Sequence, residues 1–285
     1  MSSFQFKFLY YNIITGLEVS VKVWLDIGRP LRYNKLGKDV RTMELIIQRA
    51  NKRIYRRGAE CIKLFEEGSS AADVLSGAMN QARAQEAGLC VPPLREVTKL
   101  DGQWAVVSDF IEGKTLMQCM EDEPDNPQWV ALFVQLQMQV LDTYIAKLQR
   151  QYDKFQRKIA ASGLDATTRY ELITMLDAMP DQRLTCHGDF IPSNIILQQG
   201  TAFILDWNQL TCGNAAADAA NTFMTLEKYG HTELAAAYLK TFCDMSDTAR
   251  QHIMKWVPIV AGAALGDCPE EDRAFYLAKC EGLCT

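Results

Sequence analysis

Residues 184–206 form a short island of strand-like sequence inside an otherwise helical half of the chain, and no other segment restricts the fold so tightly. Asn194 leads into the apolar run Ile195-Ile196-Leu197. Gln198-Gln199-Gly200 then reads as a three-residue hairpin loop carrying a glycine. Ala202-Phe203-Ile204-Leu205 returns the chain to Asp206. A hairpin sets the start of its first strand beside the end of its second. Asn194 and Asp206 are therefore expected to meet at the open end, with Asp189 in the loop just before it. Two carboxylates and one carboxamide, all oxygen donors, converge on a small space. Alone, each Asp has a plainer reading as a turn or cap residue; the joint spacing favours a functional one.

The remaining pattern divides the chain into two parts. From Met43 the segments MELII, KRIYR and ECIKLF read as strands separated by turn-prone Ala50-Asn51 and Arg57-Gly58, an antiparallel meander. Ser69-Ser70 caps a helix running to about Gly88, with Val74, Leu75, Ala78, Met79 and Ala82 on its apolar face. VPPLREV and QWAVVSDF follow as strands around an Asp101-Gly102 turn. Beyond Glu112-Gly113 the periodicity is helical. Asn126-Pro127 opens a long helix with Trp129, Leu132, Phe133, Leu136 and Val140 on one stripe. Tyr144, Leu148, Tyr152 and Phe155 are expected to continue that stripe as core. Asp165 caps a further helix ending near Pro180. The expected fold is α+β: a small β-rich lobe with one helix (43–112, nucleotide-binding), a hinge near 110–114, and a larger, mainly helical lobe (113–285, catalytic and substrate-binding). Residues 1–42 read as an extension of uncertain role. Phe4, Phe6, Phe8 and Tyr10 alternate, as do Val19, Val21 and Val23. Either they add a hairpin or Met43 is the natural start, and in either case they are expected to be dispensable for nucleotide binding.

Composition removes several function classes. The 285 residues suit one large domain or two modest ones. A net charge of −5 argues against nucleic acid as the partner. The nine cysteines are scattered without a CxxC pair, and with three histidines they provide no zinc framework. They fit reduced thiols in a cytoplasmic protein. The longest uncharged apolar stretch, Trp256–Gly266, is too short to span a bilayer, and the amino terminus lacks a signal-peptide pattern. The expected partner is a small molecule, with neither nucleic acid nor membrane.

An oxygen-only ligand set with room for water and phosphate suits Mg²⁺. A nearby acid the metal does not need can act as a base toward a hydroxyl. Phosphoryl transfer requires this division of labour. Here the residues carry a resemblance. His187-Gly188-Asp189, Asn194 and Asp206-Trp207 resemble the HGDxxxxN and DW motifs of the aminoglycoside phosphotransferase/choline kinase-like family, relatives of the protein kinases. The resemblance covers the chain from about Met43 to the C-terminal helices. It implies a two-lobed protein-kinase-like fold and a kinase moving the ATP γ-phosphoryl group to a hydroxyl of a soluble metabolite or aminoglycoside-like substrate. By it Asp189 is the catalytic base, and Asn194 and Asp206 are the Mg²⁺ ligands. His187 braces the loop or takes part directly, with the brace preferred. Lys63, a charge inside an apolar strand, looks like the lysine that holds ATP phosphates. Ser108, Phe110 and Ile111 resemble the strand and hinge whose backbone grips adenine, and Asp218 resembles a later structural Asp supporting the loop.

Two positions depart from the family pattern. The nucleotide loop falls at Gln48–Ile54 and has no glycine, so Arg49, Asn51 or Lys52 is expected to contribute side chains instead. Fourteen residues after Lys63, where a carboxylate partner is expected, stands Gly77. Asp73, one turn earlier, is the expected substitute, and Gly77→Glu is expected to stabilise the helix and tighten ATP binding. These departures motivate a rival reading, a non-catalytic nucleotide-binding module of the same fold. A protein kinase is disfavoured by the His-Gly-Asp and Asp-Trp motifs. The acidic run Glu121, Asp122, Glu123 and Asp125 reads as a solvated loop rather than a cation site.

Overall fold

Alternating β-branched and aromatic residues between Glu44 and Asp109 pair into one antiparallel sheet in the computed structural model, which describes residues 43–49 and 51–280. These residues belong to one compact unit. The expectations for residues 1–42 lie outside them. Strands β1 (Glu44–Gln48), β2 (Lys52–Arg57), β3 (Glu60–Phe65), β4 (Leu94–Leu100) and β5 (Gln103–Asp109) run in the order β1-β2-β3-β5-β4. The β4–β5 turn puts both Asp101 (φ 48°) and Gly102 (φ 88°) in left-handed conformations, as a two-residue primed turn requires. One face of the sheet packs Ile62, Leu64, Leu100, Ala105 and Val107 together. On the other face Val106 meets Val74 and Ala78 of helix α1 (Ala71–Glu86). Lys63 is opposite Ile54 and Val106, so it shares the α1 face, and period-two alternation puts Lys52 there too.

Ser70 caps α1, its Oγ accepting the Asp73 N–H at 3.3 Å. The apolar stripe of this helix differs from the expected one. Leu75 and Met79 are exposed, whereas Val74, Gly77, Ala78, Gln81 and Ala84 are buried. Small residues win this face because α1 lies close against the sheet on one side and the turn at 207–209 on the other.

The hinge passes through Gly113 into β6 (Lys114–Thr115), which pairs with β8 (Ile195–Gln198). A Cβ at Gly113 would stand 2.1 Å from the Leu197 carbonyl oxygen, so only glycine fits. Helix α2 (Leu116–Asp122) starts with a reciprocal Thr115–Gln118 capping box, and Asn126 caps α3 (Pro127–Asp142). The long stripe is broken at Asp142. Residues 143–150 leave the helix because their backbone is bonded elsewhere: Thr143 O accepts the Thr185 hydroxyl at 2.6 Å, and Gln149 O accepts the Cys212 N–H at 2.9 Å. Tyr144 is accordingly 84% exposed rather than core, while Leu148, Tyr152 and Phe155 do pack on the core, the last two from α4 (Gln151–Ala160). Asp165 caps α5 (Ala166–Asp177) as expected.

Strand β7 (Leu184–Cys186) pairs with β10 (Thr211–Gly213), and β8 with β9 (Thr201–Ile204). The β8–β9 loop has two residues rather than three. Gln198 pairs with Thr201, and Gln199 and Gly200 both take positive φ. Helices α6 (Ala215–Lys228), α7 (Thr232–Ser246), α8 (Arg250–Met254), α9 (Val257–Ala264) and α10 (Glu270–Cys280) complete the larger lobe. The apolar stretch noted at Trp256–Gly266 is mostly α9, buried in the core. Among the described residues no helix is long and apolar enough to cross a membrane.

The contact at Gly113 makes a first prediction. Gly113→Ala forces a methyl group against a backbone carbonyl, and overpacking of this kind costs about 1–3 kcal/mol. Chemical denaturation of the full chain should show a lower midpoint; an unchanged midpoint would mean that the hinge yields freely.

Candidate functional site

The β8–β9 hairpin does what its spacing implies. Ile195 pairs with Ile204, and the Leu205 N–H donates to Asn194 O at 2.8 Å, which fixes Asn194 beside Asp206. The Asn194 side-chain amide then donates to both Asp189 O and Asp189 Oδ2, each at 3.0 Å. This spends the nitrogen end of Asn194 on Asp189, so its carbonyl oxygen is the end that could hold a metal.

Asp206 takes a left-handed backbone conformation (φ 62°, ψ 60°), tolerable for Asp and costly for most side chains. That conformation sets its carboxylate under the sheet. Lys52 Nζ donates to Oδ2 at 3.0 Å, and Lys63 Nζ lies 3.6 Å from Oδ1. The two lysines come from adjacent strands and grip opposite oxygens. Burial alone would raise the Asp206 pKa, but Lys63, then Lys52, with Arg49 adding, hold it well below the usual carboxylate range. Asp189 goes the other way: burial, reinforced by the Asp206 charge, raises it to about 7. Two neighbouring carboxylates are thus driven apart, one firmly ionised and one poised near neutrality, a pattern that separates an electrostatic role from an acid–base role.

The loop is braced from beneath. His187 is fully buried, with Nε2 3.0 Å from Leu205 O and Nδ1 accepting the Asp189 N–H at 3.2 Å. Its ring lies between Trp207 and Phe190, with centroids at 4.6 and 5.6 Å. Burial lowers its pKa to about 4, so it is neutral. These contacts fit the brace, not a direct participant. Gly188 adopts φ 78°, and its N–H donates to Asp218 Oδ1 at 2.7 Å. Asp218 Oδ2 accepts from Gln137, whose carbonyl accepts the Tyr238 hydroxyl. Asn221 and Thr222 of α6 donate to Gly188 O and Phe190 O.

The partner expected for Lys63 is not on α1. Asp73 is exposed at the start of the helix, and the Lys63 ion pair is with Asp206. Gly77 has a different reason to be glycine: a Cβ there would stand 2.1 Å from Asn208 Oδ1. Asn208 occupies that space and donates to Asp206 Oδ1 at 2.7 Å. Asn80, one turn on, donates to Trp207 O at 3.3 Å. Helix α1 therefore docks on the turn that follows Asp206 through small and polar groups. Sequence reasoning missed Asn208 altogether and named Lys52 only among possible substitutes for glycine. For Lys52 the available signal was a lysine opening a strand directly after that loop.

In the segment read as the nucleotide loop, the Arg49 N–H donates to Lys52 O at 2.9 Å. Arg49 and Asn51 are both exposed there, with Arg49 acting on Asp206 and Asp189 through its charge. At the hinge, Ser108 is buried on the α1 face beside Cys61. The Asp109 and Phe110 N–H groups are bonded to Pro93 O and Ala59 O, and Arg56 covers the Phe110 ring. Phe110 therefore does not offer its amide, whereas the Ile111 amide has no hydrogen-bond acceptor among the described residues. The acidic run lies elsewhere. Asp122 pairs with Lys114, while Glu121 and Glu123 line a separate cavity against the start of α7.

Residues 51–252 match the family model described as APH, the phosphotransferase enzyme family. No curated protein matches the chain. Solved structures share the fold. A thermostable mutant of aminoglycoside phosphotransferase APH(4)-Ia, in ternary complex with AMP-PNP and hygromycin B, aligns over 86% of this chain and 93% of its own at TM-score 0.65 and 16% identity. The amicoumacin kinase hAmiN, in complex with AMP-PNP, Ca²⁺ and Ami, aligns over 86% and 88% at TM-score 0.60 and 11% identity. A choline/ethanolamine kinase family protein from Mesorhizobium loti aligns over 85% and 87% at TM-score 0.59 and 14% identity. The likeness is one of fold: the two-lobed, protein-kinase-like α+β architecture expected from the sequence.

The contact between Gly77 and Asn208 reverses the expectation for Gly77→Glu. Glutamate is the better helix former by up to about 1 kcal/mol, but it displaces Asn208, an overpacking cost of about 1–3 kcal/mol. Denaturation should show a net loss of stability, recovered in part when Asn208→Ala is added. A Gly77→Glu variant more stable than wild type would contradict this account of the glycine.

Proposed function

The chain belongs to the phosphotransferase enzyme family, and we propose that it is a small-molecule kinase that moves the γ-phosphoryl group of ATP to a hydroxyl of a soluble compound. The observation that carries this reading is the Asp189–Asn194 pair held by the hairpin beside an ionised Asp206. In the reaction the acceptor oxygen bonds to the γ-phosphorus. The bond from that phosphorus to the β–γ bridging oxygen breaks, and ADP leaves with the electron pair. The hydroxyl proton passes to the Asp189 carboxylate. A base held near neutrality suits that transfer at physiological pH. Lys63, with Lys52 beside it, presents ammonium groups to phosphate oxygens, and the Ile111 N–H is a hinge donor available to adenine.

The donor set fits Mg²⁺: oxygen only, with Asp206 kept ionised by its surroundings. Asn194, through its carbonyl oxygen, and Asp206 would hold the ion, which neutralises charge on the phosphates. His187 positions the loop without touching the reacting atoms. The scattered thiols support a cytoplasmic setting. A non-catalytic module would need neither a base nor the opposed shifts of Asp189 and Asp206, so catalysis is the better reading.

Asp189→Asn keeps the shape and loses the base. It should lower kcat by roughly 10²–10⁴-fold with ATP affinity nearly unchanged, whereas Asp206→Asn should weaken Mg·ATP binding itself. Wild-type kcat/KM should fall as pH drops below about 7, because Asp189 must be deprotonated to accept the proton. Steady-state kinetics and nucleotide titrations measure all three. An Asp189→Asn enzyme with wild-type turnover would remove the assignment.

A further inference from the structure

A cavity of about 950 Å³ opens between α1 and α4, floored by Asn208, Gln209 and Leu210. It adjoins the reaction centre. Asn208 bonds Asp206, and Gln209 packs against Gly188, the residue before Asp189, where a Cβ would stand 2.7 Å from the Gln209 carbonyl oxygen. A smaller cavity under the loop, reaching Gly188 and Asn221, shares Lys154, Lys158 and Gln209 with it. The wall is strongly cationic: Arg83 of α1, Lys147, and Lys154, Arg157 and Lys158 of α4. It carries two carboxylates. Asp267 is already paired with Lys158 at 2.8 Å, and Asp73 is exposed at the start of α1.

We propose that this cavity receives the phosphoryl acceptor, and that the acceptor is an anion: a hydroxyl compound carrying a phosphate or carboxylate group. The proposal rests on the kinase reading above. Lys154 gives it its sharpest support. Its ammonium donates to Gln209 O at 3.0 Å and Gln209 Oε1 at 2.6 Å, both neutral acceptors. A largely buried charge with no ion-pair partner among the described residues is costly, and burial with Lys158 nearby lowers Lys154 to about 7. Asp267, already paired with Lys158, and more weakly Asp218, with its own oxygens spent on Gly188 and Gln137, raise it in part without an ion pair to it. A bound oxyanion would supply the missing partner and relieve the repulsion among Lys154, Arg157 and Lys158. A polycationic acceptor would meet that repulsion at full strength.

The test uses the full chain and two measurements. In the first, ADP release is followed with Mg·ATP and matched acceptors: glycerol 3-phosphate against glycerol, gluconate against glucose, and kanamycin and choline as cations. Turnover should favour an anion over its neutral counterpart and over both cations by at least about tenfold in kcat/KM. Preference for a neutral or cationic acceptor overturns the inference and leaves the kinase reading standing. In the second, inorganic phosphate and citrate are titrated calorimetrically into the protein saturated with Mg·ADP. Both should bind, and the exposed charge reversal Arg157→Glu should weaken them about tenfold while Mg·ADP affinity holds. Absence of anion binding, or binding indifferent to Arg157→Glu, overturns the anionic acceptor. Failure to bind Mg·ADP at all strikes the kinase reading and this inference with it.

Discussion

Everything else at the site is arranged around one buried carboxylate. Asp206 sits in a left-handed backbone conformation at the end of a hairpin strand, with Lys52 on one oxygen and Lys63 near the other. Those lysines belong to the sheet of the small lobe, whereas Asp206 belongs to the large one. The contact therefore joins the lobes as well as holding the charge. Taking three charges out of water is expensive, and the arrangement holds only because each has an opposite partner. Loss of either lysine would leave the remaining charges less well matched, and loss of Asp206 would leave two ammonium groups facing each other across adjacent strands.

That carboxylate also organises its neighbours by repulsion and by touch. Its negative charge adds to burial in lifting Asp189 towards neutrality. Asn208 bonds it from the turn that follows, and Gly77 is glycine so that Asn208 has room. Beneath the loop, His187 ties Asp189 to Leu205, one residue before Asp206. The Asp218–Gln137–Tyr238 chain then fixes Gly188 to the core of the helical lobe. Buried polar chains of this kind are high-stakes: each member is satisfied only while the others stay in place.

The parts legible in the sequence were those set by local pattern. Strand β3 at Glu60–Phe65, the caps Ser70, Asn126 and Asp165, and the meeting of Asn194 with Asp206 follow from period, cap chemistry and hairpin geometry. What stayed hidden was decided between distant segments. The stripe through Tyr144 kept helical spacing, yet residues 143–150 are drawn off by backbone bonds to β7 and β10 that no local window contains. Leu75 and Met79 looked like a buried face, but close docking of α1 selected Gly77 and Ala78 instead. Gly77 itself read as a lost carboxylate because its neighbour Asn208 is more than a hundred residues away. The basic wall of α4 escaped notice because Lys154, Arg157 and Lys158 alone look like an ordinary solvated helix face.

The central claim is that the hairpin end is built to hold a metal–nucleotide complex, with Asp206 ionised for that purpose. Calorimetric titration of ATP into the full chain, with Mg²⁺ present and with Mg²⁺ removed by chelation, tests it most directly. The account predicts much tighter binding with the metal, and loss of that difference in Asp206→Asn. Equal affinity in both conditions, or a metal effect that survives Asp206→Asn undiminished, would contradict it.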